Sequence, residues 1–243
     1  MKFNPANRWT VHLTAICLIL SGLLTTQESA WASKRVRFNP PKGGAPKETK
    51  GGASRGDIAC AKNPGQNRPQ IILLTPGNSN FGLTTQEHPT FLVYVPPSFA
   101  KQVFFSLKNV QGKSYYQQKL AVPSQGGILR ITLPASAAPL TLNQSYEWGV
   151  VLLCGGKLRA DSPFASGWVQ RIQLAPKITH ILTNQTKLEQ VALYGESGIW
   201  YDMLSNLATL KQQKPQNTTI NQTWNQVLSS VGLESVHSAT IVD

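Results

Sequence analysis

From Ile71 to Leu174 apolar residues recur with a period of two, and from about Thr183 onward with a period near 3.6. This change of period constrains the fold more than any other feature of the chain. A period of two sends alternate side chains to opposite faces of a strand, whereas 3.6 winds a stripe along a helix. The chain therefore reads as mainly β with C-terminal α, strands first and helices second.

The strand signal falls in runs at 71–74, 90–95, 103–107, 114–122, 128–133, 146–154 and 167–174, separated by Pro, Gly and Asn. Short apolar runs at regular spacing predict an antiparallel β-sandwich of immunoglobulin/fibronectin-III type over residues 60–176. Phe91, Val93 and Val95 alternate with Leu92 and Tyr94, so one face of that run is expected to be more deeply buried. Leu129, Ile131 and Leu133 are expected to point inward. Leu140 to Tyr146 resembles the approach to a tyrosine corner, in which a Tyr hydroxyl bonds back to upstream backbone. Trp148 and Val150 continue on the face of Tyr146.

Over 177–243 the pattern predicts a short helical hairpin plus a third helix. Leu188, Val191 and Ala192 share one face, and Thr186 and Glu189 are spaced as a capping box. Ile199, Met203, Leu204, Leu207 and Leu210 form a second stripe; Ile220, Trp224, Val227, Leu228 and Val231 form a third. Gly232 stands where a left-handed stop is needed, with Leu233 after it. Tyr194, Gly198 and Pro215 also share the spacing of one tetratricopeptide repeat. One such unit cannot bury its own faces, so the helices must pack on the sandwich, on one another or on another protein.

The N-terminus carries an address. Lys2 and Arg8 precede an uncharged apolar run from Val11 to Leu24, and Ala30-Trp31-Ala32 reads as a cleavage site. This predicts a signal peptide over 1–32 and an exported protein, periplasmic or secreted. Residues 33–59 are rich in Lys, Arg, Gly and Pro and read as a disordered basic tether. Through 33–57 that tether suits an anionic wall polymer or a membrane surface. The whole chain carries a net charge of +12, and export disfavours nucleic acid as the partner. Cys60 and Cys154 are the two cysteines left after cleavage, and an even pair in an exported chain predicts a disulfide.

Chemistry is sparse. No Gly-x-Ser-x-Gly, His-Glu-x-x-His or phosphate-cradling loop appears, so no catalytic residue, metal or cofactor is assigned. The binding candidates are His88, Glu87, Arg171, Trp200, Tyr201 and Asp202. Glu87 beside His88 has the composition of an acid–base pair, although neighbours in extended backbone point opposite ways. Arg171 is expected to pair with Asp202, either as a clasp between sandwich and helices or as part of a partner-binding patch. Three functions follow from this reading. The first is a non-enzymatic module that binds an envelope protein; the second is a wall or glycan binder; the third is an enzyme centred on Glu87 and His88.

The run Leu83-Thr84-Thr85-Gln86-Glu87-His88-Pro89-Thr90-Phe91, with Tyr94-Val95-Pro96, resembles the opening of the mainly cyanobacterial family known as domain of unknown function 928. Tyr146-x-Trp148, Cys154, Gly167 to Arg171 and Ala192 to Asp202 are similar to its later blocks, as is Val231-Gly232-Leu233. The resemblance spans roughly 60–240. It implies a bacterial source and an exported protein, and it brings no site residue of its own. Met203 stands where family members often carry Ala.

Overall fold

The computed structural model describes residues 35–46, 70–77, 79–160 and 162–242. The strands are β1 (Ile72–Leu73), β2 (Phe81–Thr84), β3 (Thr90–Val95), β4 (Gln102–Asn109), β5 (Ser114–Ala121), β6 (Gly127–Thr132), β7 (Ser145–Leu152), β8 (Phe164–Arg171) and β9 (Ile241–Val242). The helices are α1 (Pro176–Thr183), α2 (Lys187–Glu196), α3 (Trp200–Gln213) and α4 (Thr218–Ser229).

Two sheets face each other, one ordered β1-β3-β6-β9 and the other β2-β8-β7-β4-β5. This is an immunoglobulin-like frame in which β1 and β2 divide the first strand position between the sheets. The expected purely antiparallel pairing needs correction, because β2–β8 and β6–β9 are parallel. Neither β2 nor β9 shows an alternating run in the sequence. Both are short segments that become strands only because a neighbour's open edge accepts them.

Register explains the core. Val103, Phe105 and Leu107 lie opposite Leu152, Val150 and Trp148, so one face of β4 and β7 is continuously apolar. Phe91 and Val93 lie opposite Ile131 and Leu129 in the other sheet. All ten are buried, with Phe91 against Trp148 at 4.7 Å between ring centroids. The tyrosine corner forms as the spacing predicts: the Tyr146 hydroxyl accepts from the Thr141 amide at 3.1 Å. Tyr146→Phe is expected to leave that amide without its partner and to cost about 1–2 kcal/mol. A urea titration that shows no loss would remove the corner from the account of stability.

As expected, the Phe91, Val93 and Val95 face of β3 is the more deeply buried, but the outer face of the first sheet is covered too. Leu92 and Ile128 lie on that face and are buried, and Arg130 donates to Thr209 Oγ1 and Gln212 Oε1 on α3. Helix α3 packs against both β2 and β3, bridging the two sheets. Its stripe is spent there: Met203, Leu204, Leu207 and Ala208 are buried in the core that holds Phe91 and Trp148. Ile220, Trp224, Val227 and Leu228 of α4 join the same core. The capping box of Thr186 and Glu189 is present, and Gly232 takes a positive φ of 79° while Leu233 N donates to Leu228 O. Helix α1 has no counterpart in the expected pattern. It buries only Leu182 and starts at Pro176, a residue suited to a first helical position.

The basic segment also departs from expectation. Residues 35–46, read as part of a tether, lie against the helices and the second sheet. Val36 is buried, Phe38 meets Trp200 edge-on at 4.7 Å, and Ala45 packs on Phe81, Leu83 and Trp168. Composition hid this, because two apolar side chains among cations and prolines do not move an average. The rest of that segment, 47–59, lies outside the described residues, as do the expected signal peptide at 1–32 and Cys60.

Candidate functional site

The motif Thr84-Thr85-Gln86-Glu87-His88 runs off the end of β2 and meets the start of α3. Gly82 permits the approach, since a Cβ there would stand 2.8 Å from the Tyr201 ring and 3.0 Å from Trp200 Cβ. Asp202, in the first turn of α3, is 1% exposed. Its carboxylate accepts from Thr84 Oγ1 at 2.6 Å, from the Thr85 amide at 3.2 Å and from Gln86 Nε2 at 3.2 Å. The Thr85 hydroxyl is a further donor. A buried charge is tolerated only when it is hydrogen-bonded, and here the motif supplies the donors. Burial still holds the Asp202 carboxyl above the usual carboxylate range, with the threonine and glutamine donors pulling the other way. Burial and the nearby Asp202 charge likewise hold the Tyr194 hydroxyl above its ordinary value.

The two aromatic candidates before Asp202 are structural. Trp200 Nε1 donates to Leu74 O at 2.7 Å, which ties α3 to the first sheet. The Tyr201 hydroxyl accepts from Trp148 Nε1 at 2.6 Å and donates to Trp168 O at 2.9 Å, which ties it to the second. Burial pushes that hydroxyl's pKa far up.

Arg171 does not meet Asp202. It pairs with Glu87 at 2.9 Å and donates to Leu140 O at 2.6 Å. The expected Arg171–Asp202 contact is therefore corrected: Arg171 bonds within the sandwich, and the tie between sandwich and helix is made by Asp202 with Thr84, Thr85 and Gln86. The reason is direction along β2 and β8. Thr84 pairs with Arg171 in register, and the chain then leaves the sheet, so Thr84 and Thr85 face α3 while Glu87 turns back toward β8. His88 donates through Nε2 to the Ala137 carbonyl at 3.1 Å, away from the Glu87–Arg171 pair. Glu87 and His88 thus act in separate contacts, and the geometry does not assemble an acid–base pair.

A cleft of about 440 Å³ opens between β1, the start of β8 and the end of α4. Its walls include Ile71, Leu73, Thr75, Ser166 and Leu233, and none of its lining residues carries a titratable side chain. Among the described residues no three His, Cys, Asp or Glu side chains come together as metal ligands.

Sequence reasoning passed over the far end of the sandwich. Val103 pairs with Leu152 and Val151 with Phe164, so the β3–β4 and β7–β8 loops leave at the same end. Phe99 on the first loop and Leu158 on the second are each 62% exposed, and Phe164 at the base of the second is 38% exposed. Lys101, Lys157 and Arg159 are exposed on the same loops. Single apolar residues between turn signals read as ordinary loop, and only the fold places them at one end.

The family model described as Domain of Unknown Function (DUF928) matches residues 50–241. No curated protein matches the chain. Among solved structures, the CARDB domain of a Pyrococcus furiosus protein, in complex with di-metal ions, is 11% identical with a TM-score of 0.28. The match covers 44% of this chain and 94% of that one. The fn3 domain of the human collagen alpha-1(XX) chain is 13% identical with a TM-score of 0.25, covering 48% of this chain and 92% of that one.

Proposed function

We propose that this chain, which belongs to the DUF928 family, is an exported, non-enzymatic binding module of the bacterial cell envelope. The observation that carries the reading is the loop end of the sandwich. Two apolar side chains, Phe99 and Leu158, stand 62% exposed on loops that leave the same end of the frame, with Lys101, Lys157 and Arg159 beside them. That chemistry fits a protein partner presenting an apolar patch next to acidic groups. The apolar stripes of α3 and α4 are not the contact face, because the core already covers them. The candidate polar residues Glu87, His88, Arg171 and Asp202 are engaged in contacts within the chain and do not converge on one point, which supports binding over catalysis. The address rests on the expected signal peptide at 1–32, and the Cys60–Cys154 disulfide belongs to the same reading.

The test is site-specific photo-crosslinking in envelope preparations. A cross-linker at position 99 or 158 is expected to trap one discrete protein, and one at Gln117 on β5 is expected to trap none. Excess unlabelled chain should compete, whereas a Phe99→Ser, Leu158→Ser chain should not. Equal trapping from all three positions sinks the assignment of the face. The intact mass of the recovered chain should begin at Ser33 and should shift on reduction; a chain beginning at Met1 removes export by cleavage.

Binding to an anionic wall polymer is a second reading, favoured by one observation. Val36 and Phe38 point into the molecule while Arg35 and Arg37 remain exposed, so the seated basic segment keeps its cations in solvent. Salt-sensitive sedimentation with purified wall, unaffected by the Phe99 and Leu158 changes, would favour it over the protein partner.

A further inference from the structure

The turn between α2 and α3 is shaped to hold an extended peptide. The end of α2 turns its last carbonyls toward residues 35–41: Gly195 O accepts from the Gly198 amide at 3.1 Å and keeps a second lone pair for a donor from outside the helix. Asn39 answers them twice: its amide donates to Gly195 O at 3.0 Å and its side chain Nδ2 donates to Glu196 O at 3.2 Å. Phe38 packs its ring edge-on against Trp200 at 4.7 Å, and Val36 is 7% exposed. The floor is made of two glycines. A Cβ on Gly195 would stand 2.4 Å from Arg37 O, and one on Gly198 would stand 2.8 Å from Asn39 O. Gly198 also takes a positive φ of 73°, which disfavours other residues. Pro40 and Pro41 follow and pre-set an extended backbone. The site therefore reads a main chain through hydrogen bonds and close approach, and side chains through one aliphatic and one aromatic contact.

We propose that the α2–α3 turn is a peptide-recognition site for an extended segment of the form aliphatic-x-aromatic-Asn-Pro, and that Val36 to Pro40 is its resident ligand. The segment contributes two apolar side chains and two hydrogen bonds from outside the matched family region of 50–241. Residues 35–41 thus act as a latch that keeps the site occupied, and the same segment supplied in trans takes its place when the latch is opened. This inference is independent of the loop-end reading, which involves neither α2 nor residues 35–41.

The test uses the full chain. A protease site placed within residues 47–59 is cut after folding, and a fluorescent peptide of residues 33–46 is titrated by anisotropy. The cut chain, dialysed free of its own arm, should bind the peptide saturably at one site. The uncut chain should bind at least ten-fold more weakly, because a tethered ligand competes at an effective concentration of order millimolar. Peptides carrying Phe38→Ala or Asn39→Ala should each lose at least ten-fold. A full-length Phe38→Ser chain is the second route, since it should vacate the site without cutting and take up the wild-type peptide. Failure of the folded cut chain to bind the peptide overturns the proposal. Loss of folding in both the cut and the Phe38→Ser chains also overturns it, by making the arm part of the core.

Discussion

A chain ending at Ala175 is expected not to fold into a sandwich. Strands β1 to β8 remain in it, so sequence reasoning alone would treat it as a complete domain. The structure shows what it loses. Tyr201 is the acceptor for Trp148 Nε1 and the donor to Trp168 O, and Trp200 is the donor to Leu74 O. Removing α3 leaves these groups unpaired and uncovers Leu92, Ile128 and Phe91. Burial of a large apolar side chain is worth about 1.5–3 kcal/mol, and α3 and α4 bury more than eight of them. Leaving even a few of the sheet's own apolar side chains uncovered, with the tryptophan N–H groups unpaired, costs several kcal/mol, a large fraction of the roughly 5–15 kcal/mol by which domains are stable. Near-UV circular dichroism should be featureless for the truncated chain, and urea should produce no cooperative transition. A sharp transition with native-like near-UV signal would mean that the sandwich is autonomous and the helices are an appendage.

Asp202→Ala is expected to cost about 2–4 kcal/mol, among the largest single-site effects in the molecule. The change strands the Thr84 and Thr85 hydroxyls, the Thr85 amide and the Gln86 side chain at the junction of β2 and α3. Asp202→Asn keeps the shape and some of the hydrogen bonding, and should cost less. The two variants also separate packing from charge. Burial raises the Asp202 pKa on folding, so the stability it contributes is fully present below the unfolded value of about 3.9. It is lost as pH rises through the raised folded value. The difference in unfolding free energy between the native chain and Asp202→Asn should therefore shrink from acid toward neutral pH. Urea titrations across that range decide it. A difference that grows with pH would show that the hydrogen-bond donors and the helix N-terminus outweigh desolvation at this carboxylate.

Local chemistry was legible where one short segment contained the whole cause. The tyrosine corner needs only Leu140 to Tyr146, the capping box only Thr186 to Glu189, and the helix stop only Gly232 and Leu233. Each interaction closes within a few residues, so spacing alone specifies it. The junction was legible in its members and not in its pairs. Arg171 and Asp202 both stand out in the sequence, yet Arg171 reaches Glu87 while Asp202 reaches the residues of Thr84 to Gln86. Which acid an arginine meets depends on where β2 leaves the sheet, and no periodicity records that. The seated arm was illegible for a stronger reason. Val36 and Phe38 stand among cations and prolines, and their partner surface lies more than 150 residues away, where α2 turns into α3.

Sequence by itself determined the order of elements, the inward face of most strands and the stripes of α2 to α4, because each follows from the periodic placement of apolar side chains along one segment. The tertiary structure alone decided that β2 and β9 are strands at all, that α3 closes over both sheets, and that each candidate residue legible in the sequence bonds within the chain, with Glu87 still exposed. It also decided that Phe99 and Leu158 share one end of the frame. These are properties of surfaces brought together from distant parts of the chain. Their energies come from burial and hydrogen bonding between segments, which exist only once both segments are in place.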